Sequence, residues 1–325
     1  QGWKSENLEN AYKKRRAVVK QPKAQANSEY FWFKQMKTVM SEIDSFEVGL
    51  IPPSGEVKFL DIGCAPGGFS SYILAKNSQA QGTGVTLDTA QGGYRLLLEE
   101  RYQRRYTLVI QDLLQLDFTH DSEPPPVPLA PIPPSLRDHQ YSLVIIDGHH
   151  LRDYRPAEPL VHAPDAPALS YLVFRDAFFL SQLLLALGAL GPGGTLVVKL
   201  AHVDFPHTAQ TLFLLDALAE RRLALCKPRG WHAARGTFYA VARGVRVDRA
   251  RPEWLARLRA LWWEVRFGGE GEGMGRAMRA GELEFVASPE TIVGEWLDRL
   301  VELALPVWAG QVDGMREMFE QKGVR

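Results

Sequence analysis

Two side chains stand out by where they fall in the sequence. Lys199 closes the apolar run Thr195-Leu196-Val197-Val198-Lys199-Leu200, and Asp147 closes Leu143-Val144-Ile145-Ile146-Asp147-Gly148. An ammonium at the end of a buried apolar strand is unfavourable unless it meets a partner there. The two strands are expected side by side, which makes Asp147 the partner of Lys199. An amine held by a carboxylate can act as a base, or can stabilise charge developing on a poor nucleophile. Two further lysines, Lys34 and Lys37, are three apart within residues 30–43 and therefore neighbours on a helix surface. A different chemistry is suggested by Asp61-Ile62-Gly63-Cys64-Ala65-Pro66-Gly67-Gly68-Phe69-Ser70. It follows the apolar run Val57-Lys58-Phe59-Leu60 and precedes a helical stretch, residues 71–76. A strand that stops in a glycine turn and restarts as a helix gathers backbone N–H groups at one point, and the glycines let a bound molecule approach closely. The spacing is not Gly-x-Gly-x-x-Gly, and no Gly-Lys-Ser/Thr follows.

The elements that must position these residues alternate. Strands are predicted over residues 57–62, 82–87, 107–110, 142–147 and 195–200, with helices over 92–105, 169–190 and 208–222 between them. This rhythm implies a parallel sheet covered on both faces, an α/β sandwich. Two more strands, 223–227 and 237–243, read as a closing antiparallel hairpin. Residues 30–43 have helical periodicity, with Phe33, Met36, Met40 and Ile43 on one face. The proline-rich stretch 122–135 is expected as an extended surface insertion. The loop 148–167, with His149, His150, Arg152, Arg155 and His162, follows the fourth strand, where an open α/β sheet builds a ligand site. After residue 243 the pattern becomes helical: 252–267, about 290–303 and 307–322. Trp254, Trp262, Trp263 and Trp296 are expected to pack this appendage onto the core. The chain thus divides into a basic arm and helix (1–50), an α/β domain (51–244) and a helical extension (245–325).

Composition narrows the field. There are 38 Lys and Arg against 38 Asp and Glu, so any basic surface is local, such as Lys13-Lys14-Arg15-Arg16 with Lys20 and Lys23. Cys64 and Cys226 build neither a disulfide framework nor a zinc site and suit a reducing intracellular compartment, cytoplasm or nucleus. His149, His150, His202, His207 and His232 show no zinc-ligand spacing, and no metal is expected. The longest apolar stretch, 177–190, is too short to span a bilayer and reads as a buried helix. No signal peptide is read, and the chain starts at Gln1 without an initiator Met.

The segment Asp61 to Ser70 resembles motif I of the S-adenosylmethionine (SAM) methyltransferases, in the form found in FtsJ-like RNA ribose 2′-O-methyltransferases. Pro66-Gly67-Gly68-Phe69-Ser70 is its most specific part, and Gly67-Gly68-Phe69-Ser70-Ser71-Tyr72-Ile73-Leu74 is similar to FtsJ-domain proteins of fungi. The resemblance covers residues 30–243. It implies a Rossmann-like methyltransferase fold, a mostly parallel seven-stranded sheet with an antiparallel last strand, preceded by a helix. It implies SAM as cofactor and RNA as partner. Cofactor contacts would come from Asp61, Gly63, Cys64, Ala65, Pro66, Gly67, Gly68 and Phe69, then Leu87 and Asp88, Asp112 and Leu113, and Asp147. Within these, Asp61 would reach toward the methionine ammonium, Asp88 toward the ribose and Asp112 toward the adenine amino group; a turn-forming Asp is the plainer reading of Asp88. The family's Lys-Asp-Lys-Glu catalytic set maps onto Lys37 (with Lys34 as the alternative), Asp147 and Lys199. Its Glu falls on Thr237, which can hydrogen-bond but carries no charge. Arg235 and Glu264 are substitutes by type alone. Two other readings stay open: a catalytically reduced SAM-binding module for RNA or a protein partner, and a methyltransferase with a non-RNA acceptor.

Overall fold

The computed structural model of the chain describes residues 26–119, 125–149, 167–249, 252–269 and 275–322. The basic run 13–16, Lys20, Lys23, and His150, Arg152, Arg155 and His162 of the long loop lie outside them. The strands are β1 (Lys58–Ile62), β2 (Gln81–Thr86), β3 (Tyr106–Ile110), β4 (Tyr141–Ile146), β5 (Leu190–Ala201), β6 (Ala219–Cys226) and β7 (Thr237–Val245). They form one seven-stranded sheet in the order β3–β2–β1–β4–β5–β7–β6. Pairing is parallel from β3 through β5, and β7 runs antiparallel to both β5 and β6. This is the expected Rossmann-like methyltransferase sheet. Strand order reverses between β1 and β4, and that switch point opens a crevice at the carboxyl edge.

The helices are α1 (Ala26–Phe46), α2 (Gly68–Lys76), α3 (Pro167–Ala189), α4 (Pro206–Leu218), α5 (Arg229–His232), α6 (Pro252–Phe267), α7 (Pro289–Gly294) and α8 (Leu297–Gln321). Successive side chains of a strand point to opposite faces, and the core divides accordingly. Leu143, Ile145, Val197, Tyr239 and Val241 face α1 and α2, among Val39, Met40, Ile43, Phe69 and Ile73. Val144, Ile146, Leu196 and Val198 face the other way, toward α3, α4 and the C-terminal helices. Trp254, Trp262 and Trp296 are buried in that second core and Trp263 packs against it. Each buried indole finds a partner: Trp262 Nε1 donates to Ser181 Oγ (2.9 Å), Trp254 to Phe285 O and Trp296 to Asp216 Oδ2. Helix α3 is long and apolar enough to cross a membrane by length and composition, yet two thirds of its apolar window (67%) is buried in the fold.

Four expectations need correction. Residues 92–105 are not a helix: only Glu100–Arg105 turns, and as a 3₁₀ helix. Gly92 adopts φ 95°, and Leu97 N donates to Pro66 O (2.9 Å), so the segment is held extended across the glycine turn; tertiary docking outweighs helix propensity. Residues 219–222, expected at the end of a helix, begin β6. In the extension the helix break falls at Glu295-Trp296, where the Trp296 ring is buried, and α8 runs on through Pro306. The stretch 125–133 is extended, but Ala130 pairs with the backbone of Gln115 and Asp117, and Val127, Leu129 and Ile132 pack against the core.

Candidate functional site

The turn after β1 is shaped by what its glycines touch. Gly63 has φ 82°, and a Cβ there would overlap the Gly148 backbone. Gly67 caps α2 in the left-handed region (φ 103°) with Leu96 Cδ1 2.8 Å from where a Cβ would lie. A Cβ on Gly68 would strike Phe33 O and, at 2.7 Å, Lys37 N of α1. The glycines thus bring three protein segments together at the start of α2, a tighter role than open access for a ligand. Cys64 and Phe69 are buried, burial pushing the Cys64 thiol up. Ala65 is half-buried and Pro66 buried.

Asp61 is turned inward. Its Oδ2 accepts from Ser70 Oγ (2.7 Å), which also bonds Tyr106 Oη (2.9 Å). Burial raises its carboxyl to about 7, against the hydrogen bond from Ser70 that lowers it. Asp88 Oδ1 accepts from Ala90 N (2.7 Å), the turn-forming role. Asp112 is buried at the end of β3 and its Oδ1 accepts from Leu114 N (3.0 Å).

Gly63, Leu87, Asp112 and Leu113 line one cavity with Val85, Thr86, Gln111, His149, Phe174 and Phe178. It opens at the carboxyl ends of β1, β2 and β3. Apolar walls of Val85, Leu87, Leu113, Phe174 and Phe178 suit a flat ring, and the Asp112 carboxylate suits an exocyclic amine. The residues present therefore fit an adenosyl group. Phe174 and Phe178 were not foreseen from sequence; their one signal is the i, i+4 spacing on α3.

Beyond β4 and β5 the site is made of side chains. Lys199 Nζ lies 3.0 Å from Asp147 Oδ1 and donates to Asp147 O (2.5 Å). Tyr239 stands directly opposite Lys199 in the β5–β7 register, and its hydroxyl donates to Asp147 Oδ1 (2.8 Å). Tyr239 is fully buried; burial, then the Asp147 charge, keep its phenol well above the usual range. Tyr239 was missed in the sequence, although counting the hairpin register from Lys199 would have found it. His232 is buried beside it, ring centroids 5.9 Å apart. Neither of its nitrogens has a hydrogen-bond partner among the described residues, and burial pulls the imidazole down to about 4, so it is neutral at ordinary pH.

The remaining predicted members lie apart from this pair. Lys37 Nζ donates to Ser71 Oγ (2.9 Å) and Glu99 Oε1 (3.1 Å). Burial would raise Glu99, but hydrogen bonds from Ser71 and Lys37 outweigh it and hold the carboxyl low. Among the described residues, Lys37 has no hydrogen bond or ion pair to Asp147 or Lys199. Lys34 is exposed, its Nζ 4.4 Å from the Tyr30 ring centroid. Thr237 offers its carbonyl to Lys227 Nζ (2.8 Å), which also donates to Arg235 O; burial lowers Lys227 to about 8. Arg235 lies over the Trp231 ring (4.5 Å), and Glu264 pairs with Arg276 on the appendage. No second carboxylate joins Lys199 among the described residues.

The sequence matches the FtsJ-like methyltransferase family over residues 24–244, leaving α6, α7 and α8 outside the match. No curated protein sequence matches the chain. Similar solved structures include one described as a ribosomal RNA methyltransferase of Plasmodium falciparum, 14% identical, covering 65% of this chain and 96% of that one at a TM-score of 0.39. The N-methyltransferase NodS of Bradyrhizobium japonicum is 17% identical over 68% of this chain and 99% of its own, TM-score 0.35. A TehB-like SAM-dependent methyltransferase of Corynebacterium glutamicum is 16% identical over 73% and 97%, TM-score 0.34.

Proposed function

The chain belongs to the FtsJ-like methyltransferase family, a SAM-dependent one, and from that premise we propose that it methylates a ribose 2′-hydroxyl of RNA. The observation that carries the proposal is the Lys199 ammonium held by Asp147 at 3.0 Å, at the end of β5. A 2′-hydroxyl is a poor nucleophile, and what it needs is a partner that stabilises the alkoxide as its proton leaves. When bound, SAM supplies an electrophilic methyl on a sulfonium whose sulfur keeps the bonding pair.

In this reading Lys199 hydrogen-bonds the acceptor oxygen and offsets its developing charge, and the proton departs to water. Asp147 orients the ammonium, and Tyr239 orients Asp147. Asp112 and the apolar walls around it hold the adenosyl group, with Gly63 closing the floor. Lys37 is given no part in the transfer, its ammonium being held by Ser71 and Glu99. Holding donor and acceptor in register contributes much of the rate.

The test is transfer of labelled methyl from SAM to an RNA pool, followed by nucleoside analysis. The expected product is a 2′-O-methylnucleoside, lost in Lys199→Ala and Asp147→Ala proteins that remain folded. Undiminished activity in both variants would sink the mechanism, and label on a base would sink the acceptor. One observation favours a second reading, a SAM-binding module with reduced catalysis: among the described residues Lys199 meets a single carboxylate, in keeping with Thr237 at the position the resemblance gives to Glu. SAM binding by calorimetry with no turnover on any RNA would support that reading instead.

A further inference from the structure

We propose that Phe31 and Trp32 of α1, with Trp231 of α5 and Arg235 just beyond it, form a stacking platform for an unpaired base of the acceptor strand beside Lys199; this rests on the RNA reading above. The rings meet edge to face, Phe31–Trp231 at 5.5 Å and Trp32–Trp231 at 4.9 Å. Trp231 also packs against the core, but Phe31 is not needed for that packing. Phe33, Met40 and Ile43 already bury the core face of α1, while Phe31 stays 43% exposed. Arg235 adds a planar cation on the Trp231 ring, and bases stack on aromatic and guanidinium planes alike.

The platform is anchored to α1 and linked through His232 and Tyr239 to the reacting groups. Glu42 of α1 accepts from the backbone N–H of Arg229 and Gly230, which fixes α5, carrying Trp231, against α1. His232, next in sequence, touches the ring of Tyr239, and Tyr239 bonds Asp147. Lys199 shares the α1 face of the sheet with Val197, so platform and ammonium lie on one side. The local charge suits a phosphate backbone. Lys34 and Arg229 are exposed here, the Glu42 carboxylate is engaged by backbone amides, and Glu29 is paired with Arg95 (3.0 Å). An aromatic surface interleaved with cations fits single-stranded RNA.

The experiment compares a short mixed-sequence single-stranded RNA with an abasic RNA of equal length, by fluorescence anisotropy, on wild type, Phe31→Ala, Arg235→Gln and Phe31→Tyr. Stacking contributes on the order of five- to a hundred-fold per base. Wild type should bind the base-containing RNA more tightly than the abasic one by such a factor. Phe31→Ala and Arg235→Gln should remove most of that difference without changing SAM affinity, and Phe31→Tyr should restore it. Equal binding of the two RNAs by wild type, or no loss in Phe31→Ala, would overturn the platform. RNA methylation with an unchanged KM in Phe31→Ala would overturn the platform and leave the RNA reading standing. Base-dependent binding without methyl transfer would support the platform and defeat the turnover claim. A monomer–dimer shift in Phe31→Ala with RNA binding intact would make this face a protein interface and overturn the proposal.

Discussion

At the glycine turn after β1 the carboxyl edge of the sheet is shaped by backbone contacts: Gly63 against Gly148, Gly68 against α1, Leu97 N–H on Pro66 O. Over β4, β5 and β7 it is built from side chains: the Lys199 ammonium, the Asp147 carboxylate and the Tyr239 phenol, joined across 52 and 92 residues of sequence. The first half is a local motif whose shape depends on absent side chains. The second is an assembly whose function depends on charges meeting at a strand end. A backbone-built site should fail abruptly when a Cβ is added, and a side-chain site should fail by degrees.

The largest expected effect is on the backbone side. Gly63→Ala combines a left-handed φ with overlap on the Gly148 backbone, which cannot give way as a flexible side chain would. SAM binding by calorimetry should be lost, with a lower melting temperature; affinity close to wild type would break the comparison. Next is Asp147→Asn, which keeps shape but removes the charge holding Lys199. Turnover should fall by roughly a hundred-fold or more, with SAM affinity little changed. Tyr239→Phe removes one hydrogen bond to Asp147 and should lower kcat about ten-fold without raising KM. A larger loss than that of Asp147→Asn would show that Tyr239 does more than orient.

A smaller effect should be read in stability against pH. Asp61 is raised to about 7 in the folded protein, from an ordinary 3.8, so the folded state binds its proton more tightly than the unfolded one. Its contribution is present below pH ~4 and is lost as pH rises through ~7. Urea midpoints measured across that window should fall less steeply in Asp61→Asn than in wild type. An identical slope would mean that Asp61 is not held protonated. The smallest effect is expected from Lys34→Ala, which should leave kcat at saturating RNA unchanged and at most raise KM slightly, because its ammonium sits over Tyr30 in solvent.

The same contrast explains what was legible in the sequence. Strand rhythm, the glycine turn, and the ends Asp147 and Lys199 are local signals, and all seven strands fall near their expected places. The extended path of residues 92–99 was hidden, since their composition favours helix and only docking onto the glycine turn overrides it. The uninterrupted passage of α8 through Pro306 was hidden for the same reason, a local breaker outweighed by packing of Leu303, Ala304 and Val307. Tyr239 was hidden by register: its neighbour Thr237 occupies the position where the family resemblance directs attention, two residues from the side chain that reaches Asp147. Lys37, expected as the catalytic lysine of α1 ahead of Lys34, instead meets Glu99, and that partner lies in the segment misread as helix.

The central claim is that the two halves do separate jobs, one holding SAM and the other activating an RNA hydroxyl. Its most direct test is the Lys199→Ala protein, assayed in parallel for SAM binding by calorimetry and for single-turnover methyl transfer to RNA. The account predicts SAM affinity like that of wild type, with transfer reduced by roughly a hundred- to ten-thousand-fold. Transfer at the wild-type rate, or loss of SAM binding together with transfer, would contradict it.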